Sequence, residues 1–201
     1  MPKPKKLKKI LASCRHVAVV VRDFPDVDAV ASASAFKRIV NTLGVDAEIF
    51  YRGEPKSDTI LKFISAPPKI VKSSTDLEGY EAALIATYPK EVKYLSKMPV
   101  AIISVAKKDV EVPVSAKYID IRKDFSVNSS LLAEYLKNLK ISIDEHTATM
   151  LAFAIRDATQ GLATRLTGSD LDIYSYLYPK INQEILLQLE HPAVDAETLV
   201  Y

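Results

Sequence analysis

Three observations predict an α/β fold, with a mostly parallel sheet flanked by helices and a helical C-terminal half. Val17–Val21, Ala82–Thr87 and Pro99–Ser104 are almost entirely apolar, as strands are when helices cover both faces of a parallel sheet. Segments with helical periodicity alternate with these runs, which is the pattern of βαβ units. From Asn128 onward no strand signal recurs, and the sequence has the periodicity of helices alone.

The stretch from His16 to Asp46 organises the first half of the chain. The strand Val17–Val21 leads into a loop and then a helix, which Gly44 ends because glycine readily adopts the left-handed conformation that closes a helix. The apolar positions of this helix recur at steps of four and three residues and form one stripe. These positions are Ala29, Ala33, Phe36, Val40 and Leu43. Val45–Arg52 is the next strand, reached by a right-handed crossover.

Shorter signals mark the remaining elements. Before Asn128 we predict a helix at Asp58–Ser65, a short strand at Ile70–Lys72, a helix start at Pro89 and an edge strand at Lys117–Arg122. After Asn128 we predict helices at Ser129–Leu139, from a Ser142/Glu145 capping box to about Leu162, from an N-cap at Ser169, and from Pro179 to near Glu190.

One acidic residue lies on a predicted buried helix. The helix that ends near Leu162 is apolar on most sides, and Asp157 falls on one of its two apolar stripes. We therefore expect a buried carboxylate. Such a group needs a cation, a metal or backbone donors around it, because an isolated buried charge is costly.

Composition limits the class of protein. The 201 residues include 27 Lys and Arg against 25 Asp and Glu, and a net charge of +2 implies neither a nucleic-acid nor a membrane surface. Cys14 is the single cysteine, which excludes an intrachain disulfide and fits a reducing compartment. No apolar run is long enough to span a membrane. We expect a soluble, cytoplasmic protein without a membrane partner.

The chain divides into a basic N-terminal segment, residues 1–15, and a single predicted domain, residues 16–201. The opening run MPKPKKLKK holds five lysines. A solvated tail is the first interpretation of these lysines, and contact with nucleic-acid phosphate is the second.

Three aspartates follow the first strand within six residues: Asp23, Asp26 and Asp28. They lie at the carboxyl end of a buried strand, where open α/β sheets bind ligands and metals. The run Pro25–Ala29 (PDVDA) resembles the first motif of the DHH phosphoesterases, the superfamily that includes the RecJ exonucleases. The strands AALIAT and PVAIIS stand at the spacing of its second and third motifs, so the chain is similar to a DHH domain over nearly its whole length.

The fourth motif of that superfamily resembles Ala154–Thr159, with Asp157 at the position of the motif aspartate. The resemblance implies a site for two manganese ions, but most of its ligand positions hold other residues here. These degenerate positions are Arg22, Ala86 or Thr87, Ser104, Val105 and Ala106. The residual metal candidates are Asp26, Asp28 and Asp157. A two-metal hydrolytic site needs more ligands than these, so we expect no catalytic residue, no cofactor and no metal.

The resemblance also implies a role without catalysis. A RecJ-like domain that lacks its motif ligands resembles the inactive subunit of the archaeal replicative helicase, which bridges the MCM ring and the GINS complex. We therefore expect a pseudoenzyme that is a scaffold in DNA replication, with GINS and MCM as partners and DNA as a further candidate. Since the chain ends at Tyr201, we expect it to lack the second, substrate-clamping domain of the family.

The alternative is a divergent phosphoesterase that depends on manganese or magnesium and acts on oligonucleotides or small phosphodiesters through the three aspartates. Asp26 and Asp28 also suit turn formation and helix capping, with Asp28 as the N-cap, and we favour this interpretation over metal binding. For Asp157 we expect an ion pair with Arg22, whose guanidinium would replace the charge of the lost metal.

Overall fold

The computed structural model describes residues 3–53, 59–60, 69–70, 77–85, 98–106, 110–112 and 114–192. Its strands are β1 His16–Val20, β2 Asp46–Tyr51, β3 Lys69–Ile70, β4 Ala82–Ile85, β5 Val100–Val105 and β6 Ala116–Arg122. Its helices are α1 Lys3–Leu11, α2 Val27–Thr42, α3 Asn128–Asn138, α4 Glu145–Ala158, α5 Gly168–Leu177 and α6 Gln183–Glu190, with a 3₁₀ turn at Tyr178–Lys180. None of the described helices is both long and apolar enough to cross a membrane.

The six strands form one sheet in the order β3-β2-β1-β4-β5-β6, and every neighbouring pair is parallel. The chain moves outward from β1 through β2 to β3, and then returns to the other side of β1 to build β4, β5 and β6. The order of the strands therefore reverses between β1 and β4. In open α/β sheets, ligands bind at this point, beyond the carboxyl ends of the strands.

Both faces of the sheet are apolar, which confirms the predicted α/β class. Val17 and Val19 of β1 point into the larger core, which α2, α3 and α4 cover. Ala18 and Val20 point to the opposite face, where they pack with Ile85 and other strand residues. Successive side chains of a strand alternate between faces, so a strand that is buried on both sides is apolar at every position, as the sequence indicated.

The predicted strands are confirmed to within a residue or two wherever the structure describes them. The predicted helix at Asp58–Ser65 lies mostly outside the described residues, as do the predicted helix start at Pro89 and the positions Ala86 and Thr87. Gly44 has a positive φ of 83° directly after α2 and its C-cap residue, as expected at the end of that helix.

Three predicted boundaries of α4 and α5 are wrong. Asp144, not Ser142, is the N-cap of α4, and its carboxylate accepts a hydrogen bond from the Thr147 amide at 2.8 Å. Thr167, not Ser169, caps α5 in a capping box with Asp170. The predicted end near Leu162 is also wrong, because α4 ends at Ala158 and the residues at 160–162 all have positive φ.

The helix predicted to begin at Pro179 is divided in two. Tyr178–Lys180 is a 3₁₀ turn with the proline in its first turn. The α-helix that follows, α6, begins at Gln183, where Asn182 accepts a hydrogen bond from the Ile185 amide at 3.1 Å. The end near Glu190 is confirmed.

The lysine-rich segment is not a solvated tail over its whole length. Residues 3–11 form α1, which contacts β6. Leu7 and Leu11 are fully buried in the larger core, and the half-buried Ile10 packs against it. These three apolar residues have helical spacing, so a short amphipathic helix buries them on one side.

Candidate functional site

Asp26 ends the loop after β1 and caps α2. Its backbone is extended, and its Oδ1 accepts a hydrogen bond from the Ala29 amide at 2.9 Å. A side-chain oxygen at this position satisfies one of the amides that the first turn of a helix leaves without a partner. The prediction of Asp28 as the N-cap of this helix is therefore wrong, because the structure assigns that role to the preceding aspartate.

Arg22 forms an ion pair with Asp26. Its Nη1 lies 3.2 Å from Oδ2 of the Asp26 carboxylate, and both side chains are partly exposed. The predicted partner was Asp157, but the described carboxylate that Arg22 contacts is the cap residue of α2. The guanidinium thus neutralises one motif aspartate at the position where the resemblance places a metal-ligating histidine.

Asp28 lies in the first turn of α2 and contacts the start of another helix. Its Oδ2 accepts hydrogen bonds from the backbone and side-chain amides of Asn128, both at 3.1 Å. Its Oδ1 accepts from the Ser129 amide at 2.8 Å and from the Ser129 hydroxyl at 2.7 Å. Val127, the N-cap residue of α3, makes no capping bond with its own side chain. Asp28 therefore caps α3 from a neighbouring helix.

Asn128 extends this contact to the sheet. Its Oδ1 accepts a hydrogen bond from the Val105 amide at 2.9 Å and from the Ser104 hydroxyl at 3.3 Å. Ser104 and Val105 are two of the positions where the resemblance places the Asp-His-His of the third motif. A hydrogen-bonded chain from Asp28 through Asn128 to the end of β5 thus connects positions that would hold metal ligands. We call these four residues, with Ser129, the Asp28 network.

The third of these positions takes part in the sheet. The Ala106 amide donates a hydrogen bond to the Arg122 carbonyl at 2.9 Å, which continues the pairing of β5 with β6. Its side chain is a methyl group and offers no ligand atom.

The carboxyl group of Asp28 is partly desolvated by burial. Desolvation raises the pKa of its carboxyl above the ordinary aspartate value, and the neighbouring Asp26 carboxylate adds to this rise. The hydrogen bonds from Ser129 and Asn128 favour the ionised form and oppose the rise without cancelling it. The pKa shift therefore results mainly from burial against α3.

Asp157 is exposed, so the prediction of a buried carboxylate is wrong. It lies in the last turn of α4, next to the point where the helix ends, and the ion pair of Arg22 is with Asp26 instead. It borders a cleft of about 470 Å³ whose other described walls include Arg156 and His191. Partial desolvation raises the pKa of Asp157, and the negative charge of Asp26 raises it further, which places these two carboxylates within electrostatic reach of each other.

The neighbouring Arg156 does not face the cleft as a free cation. Its guanidinium forms an ion pair with Glu190 of α6 through Nε, and its Nη2 donates to the same carboxylate at 3.1 Å. The pair raises the pKa of Arg156, and the Tyr174 hydroxyl contributes in the same direction. This arrangement connects α4 to α6 beside Asp157.

The first part of the loop after β1 is held by β2 and the residues that follow it. Asp23 forms an ion pair with Arg52 at 3.1 Å, and the Phe24 amide donates to the Arg52 carbonyl at 2.8 Å. The ring of Phe24 lies directly over Gly53, where a Cβ atom would come within 2.6 Å of it. Asp23 therefore stabilises the loop, as Asp26 does.

The residues present do not fit a two-metal centre. Both oxygens of Asp28 accept hydrogen bonds within the Asp28 network, and both oxygens of Asp26 are engaged by Ala29 and Arg22. Across the described ranges, no three His, Cys, Asp or Glu side chains converge as a metal site requires.

Sequence reasoning found the motif aspartates but missed Asn128 and Ser129. Neither residue belongs to a motif that predicts a contact with Asp28, and both lie about a hundred positions from it in the chain. The only local signal was that Asn128 begins the helical half, and asparagine and serine are residues often found at helix starts.

No family model matches the chain. It is 29% identical over 178 residues to an uncharacterized protein of Methanocaldococcus jannaschii, an alignment that covers 87% of this chain and 37% of that relative. Its fold is similar to the crystal structure of an exopolyphosphatase-related protein from Bacteroides fragilis, with a TM-score of 0.74 and 12% identity over 98% of this chain and 62% of the other. The chain thus spans less than two thirds of either protein. At this identity the structural likeness shows a shared fold.

Proposed function

We propose that this chain is a DHH-like domain without catalytic activity, and that it is a scaffold in DNA replication that bridges GINS and MCM. The observation that carries the first part is the Asp28 network. Asp28 and the residues at the end of β5 are hydrogen-bonded to α3, so the positions that the resemblance assigns to metal ligands contribute to folding instead. A role in assembly is what remains for a phosphoesterase-type fold of this kind.

The second part rests on the resemblance to the inactive RecJ-like subunit of the archaeal replicative helicase. That subunit likewise combines a preserved domain with lost motif ligands, and it acts by binding other proteins. The degenerate positions Arg22, Ser104, Val105 and Ala106 support the same reasoning for this chain.

Hydrolysis assays test the absence of activity. We expect no turnover of short single-stranded DNA, a dinucleotide or inorganic polyphosphate when manganese or magnesium is supplied in excess. The matched variants are Asp28→Asn and Asp157→Asn, with circular dichroism as the check on folding. Metal-dependent turnover that Asp28→Asn abolishes in a folded protein would refute the first part of the proposal.

Affinity purification tests the partners. A tagged form of the full chain, expressed at native level in the source organism, is expected to retain GINS and MCM subunits at moderate salt. Recovery of neither complex at any mild salt concentration would refute the replication role while leaving the absence of catalysis to the hydrolysis assay.

One observation favours the alternative phosphoesterase. The cleft beside Asp157 has a volume of about 470 Å³, within the range of roughly 300–1,000 Å³ typical of small-molecule sites. For Asp26 to share one manganese or magnesium ion with Asp157, which its charge influences, Arg22 would have to release the Asp26 carboxylate. In that case turnover of a small phosphodiester would fall with Asp157→Asn, and isothermal titration of the wild-type protein with manganese would show one site that this variant lacks.

A further inference from the structure

The free face of α1 is built of lysines. Lys6, Lys8 and Lys9 are exposed, while Leu7 and Leu11 on the opposite side are fully buried. In the described part of the chain, none of these three ammonium groups has an ion-pair or hydrogen-bond partner. We call Lys6, Lys8 and Lys9 the lysine face. It is fixed to the domain by the leucines rather than carried on a free tail.

The lysines of α1 do not, as a group, stabilise the helix. The first four residues of α1 are KPKK, with no acidic residue in the first turn, although the positive end of the helix dipole favours acidic residues there. Lysines at positions 5 and 9 are four residues apart, and like charges at this spacing destabilise a helix. Lys8 and Lys9 in the last turn suit the dipole, but they do not account for the lysines before them. The pattern therefore points to a partner that supplies negative charge.

Three classes of anionic partner can be compared with this surface: a membrane, an acidic protein and a nucleic acid. An amphipathic helix that binds a membrane inserts its apolar side into the lipid, but here that side is buried in the protein. A protein interface usually contains aromatic or aliphatic anchor residues, and the exposed described residues of α1 are all lysine. A row of phosphates needs only positive charge at short intervals, which lysine provides as a flexible point charge.

From these contacts we infer that the lysine face is a nucleic-acid binding site that contacts the phosphate backbone without reading sequence. The inference does not depend on the scaffold proposal, because it concerns a different surface and its test requires no protein partner. It assigns a distinct function to a segment that lies outside the motif positions.

Fluorescence anisotropy with the full chain tests this site. The probes are a labelled single-stranded DNA of random sequence and the same sequence as a duplex, titrated at several salt concentrations. The wild-type protein is expected to bind both probes more weakly as salt rises. Replacing all three lysines by glutamine is expected to weaken binding about tenfold or more at low salt, and to reduce the slope of log K against log salt for the duplex by about 2 to 3.

The matched control removes the same charge from another surface. In the variant Lys137→Gln, Lys140→Gln and Lys180→Gln, the altered residues lie in the last turn of α3, just after its C-cap and in the 3₁₀ turn. This variant is expected to bind DNA within about threefold of the wild-type protein, because Lys137 and Lys180 are engaged with the Tyr176 ring, 4.7 and 4.3 Å from its centroid, and lie outside the lysine face. Equal loss of DNA affinity in the two triple variants would contradict the assignment of the lysine face as the binding site.

Folding and competing ligands complete the test. The lysine-face variant is expected to melt within a few degrees of the wild-type temperature, because relief of repulsion within α1 offsets the lost dipole interaction of Lys8 and Lys9. Single variants at Lys6 and Lys9 keep the test valid if the triple variant unfolds. Absence of DNA binding by the wild-type protein at low salt would overturn the inference. Binding only to phosphatidylserine vesicles, or only to polyglutamate, would do the same.

Discussion

Asp28 acts as a helix cap, although the resemblance assigns a metal ligand to its position. Its two oxygens accept four hydrogen bonds from Asn128 and Ser129, so it stabilises the start of α3. A carboxylate whose lone pairs are directed at amides and a hydroxyl has little capacity left for a cation. The same residue type at the same place in the motif therefore provides a helix cap.

Replacement of Asp28 is expected to lower stability. Asp28→Ala removes the cap of α3 and leaves several partly buried donors without acceptors, at a cost of about 2–3 kcal/mol in the free energy of unfolding. Asp28→Asn retains one acceptor oxygen and should lose about half as much. Urea unfolding measures both. As the control, Asp157→Ala is expected to change stability by less than about 0.5 kcal/mol, because that side chain is exposed; equal losses for both alanine variants would contradict the capping role.

The pKa of Asp157 makes a pH-dependent prediction. Its pKa is raised above the ordinary value of 3.8 by partial desolvation and by Asp26. Between the ordinary and the raised value, the folded state binds more protons than the unfolded state, so stability falls as pH rises through that window. Asp157→Asn does not titrate at this position. The wild-type protein should therefore lose stability relative to this variant between acidic and neutral pH.

Urea titrations of both proteins at a series of pH values measure this difference. In an Asp26→Asn background the difference should depend less on pH, because one cause of the raised pKa is gone. A difference that is constant from below the ordinary aspartate pKa to neutral pH would show that the folded protein does not raise the pKa of Asp157.

The loop after β1 is an element that depends on the residues after β2. Gly53 has φ of 75° and lies under the Phe24 ring, whereas Gly44 has φ of 83° and open space where a Cβ would be. Both glycines are in the left-handed region, which other residues seldom adopt. A substitution at Gly44 therefore introduces backbone strain alone, whereas one at Gly53 introduces both strain and a steric clash.

Alanine substitutions at these glycines are expected to differ. Gly44→Ala should cost about 1 kcal/mol through backbone strain alone. Gly53→Ala should cost more, because the new methyl group displaces the Phe24 ring. In a double-mutant cycle, Phe24→Ala should couple with Gly53→Ala by about 0.5 kcal/mol or more and add independently to Gly44→Ala. Additivity at both glycines would mean that the ring contact contributes nothing.

At the scale of the whole molecule, α3 is the helix that joins the halves of the chain. Its first turn is capped by Asp28 of α2, and Tyr135 in its last turns contacts the edge strand β6. Tyr135 donates a hydrogen bond to the buried Asp120 carboxylate at 2.5 Å, and its hydroxyl lies 2.5 Å from that of Tyr118. Burial raises the pKa of Tyr118 to about 12, so this tyrosine remains protonated at neutral pH.

The two tyrosines are expected to contribute unequally. Tyr135→Phe removes both hydrogen bonds and one partner of a buried carboxylate, which should cost about 2–3 kcal/mol. Tyr118→Phe leaves the Tyr135–Asp120 bond in place and should cost about 1 kcal/mol. Chemical denaturation of the two single variants provides the comparison, because each loses one tyrosine hydroxyl and nothing else. A larger loss of stability for Tyr118→Phe would contradict the assignment of Tyr135 as the hydrogen-bond donor to Asp120.

Local sequence was an unreliable guide to helix boundaries where two capping residues stand close together. Ser142 and Asp144 both suit the start of α4, and Asp144 takes the role while also pairing with Arg38 at 2.6 Å. Thr167 and Ser169 compete in the same way before α5, where the Asp170 partner of Thr167 also accepts hydrogen bonds from Ser126. Contacts with distant residues selected one candidate in each case.

The sequence by itself determined the parallel sheet, the order of its strands along the chain and the helical second half, because burial on both faces imposes continuous apolar runs. It also showed that most positions to which the resemblance assigns metal ligands hold residues of other types. Only the tertiary structure decided what the remaining aspartates do: Asp26 pairs with Arg22, Asp28 caps α3 and Asp157 is exposed. The physical reason is that a carboxylate accepts any nearby donor, and which donors are near depends on how α2, α3 and α4 pack.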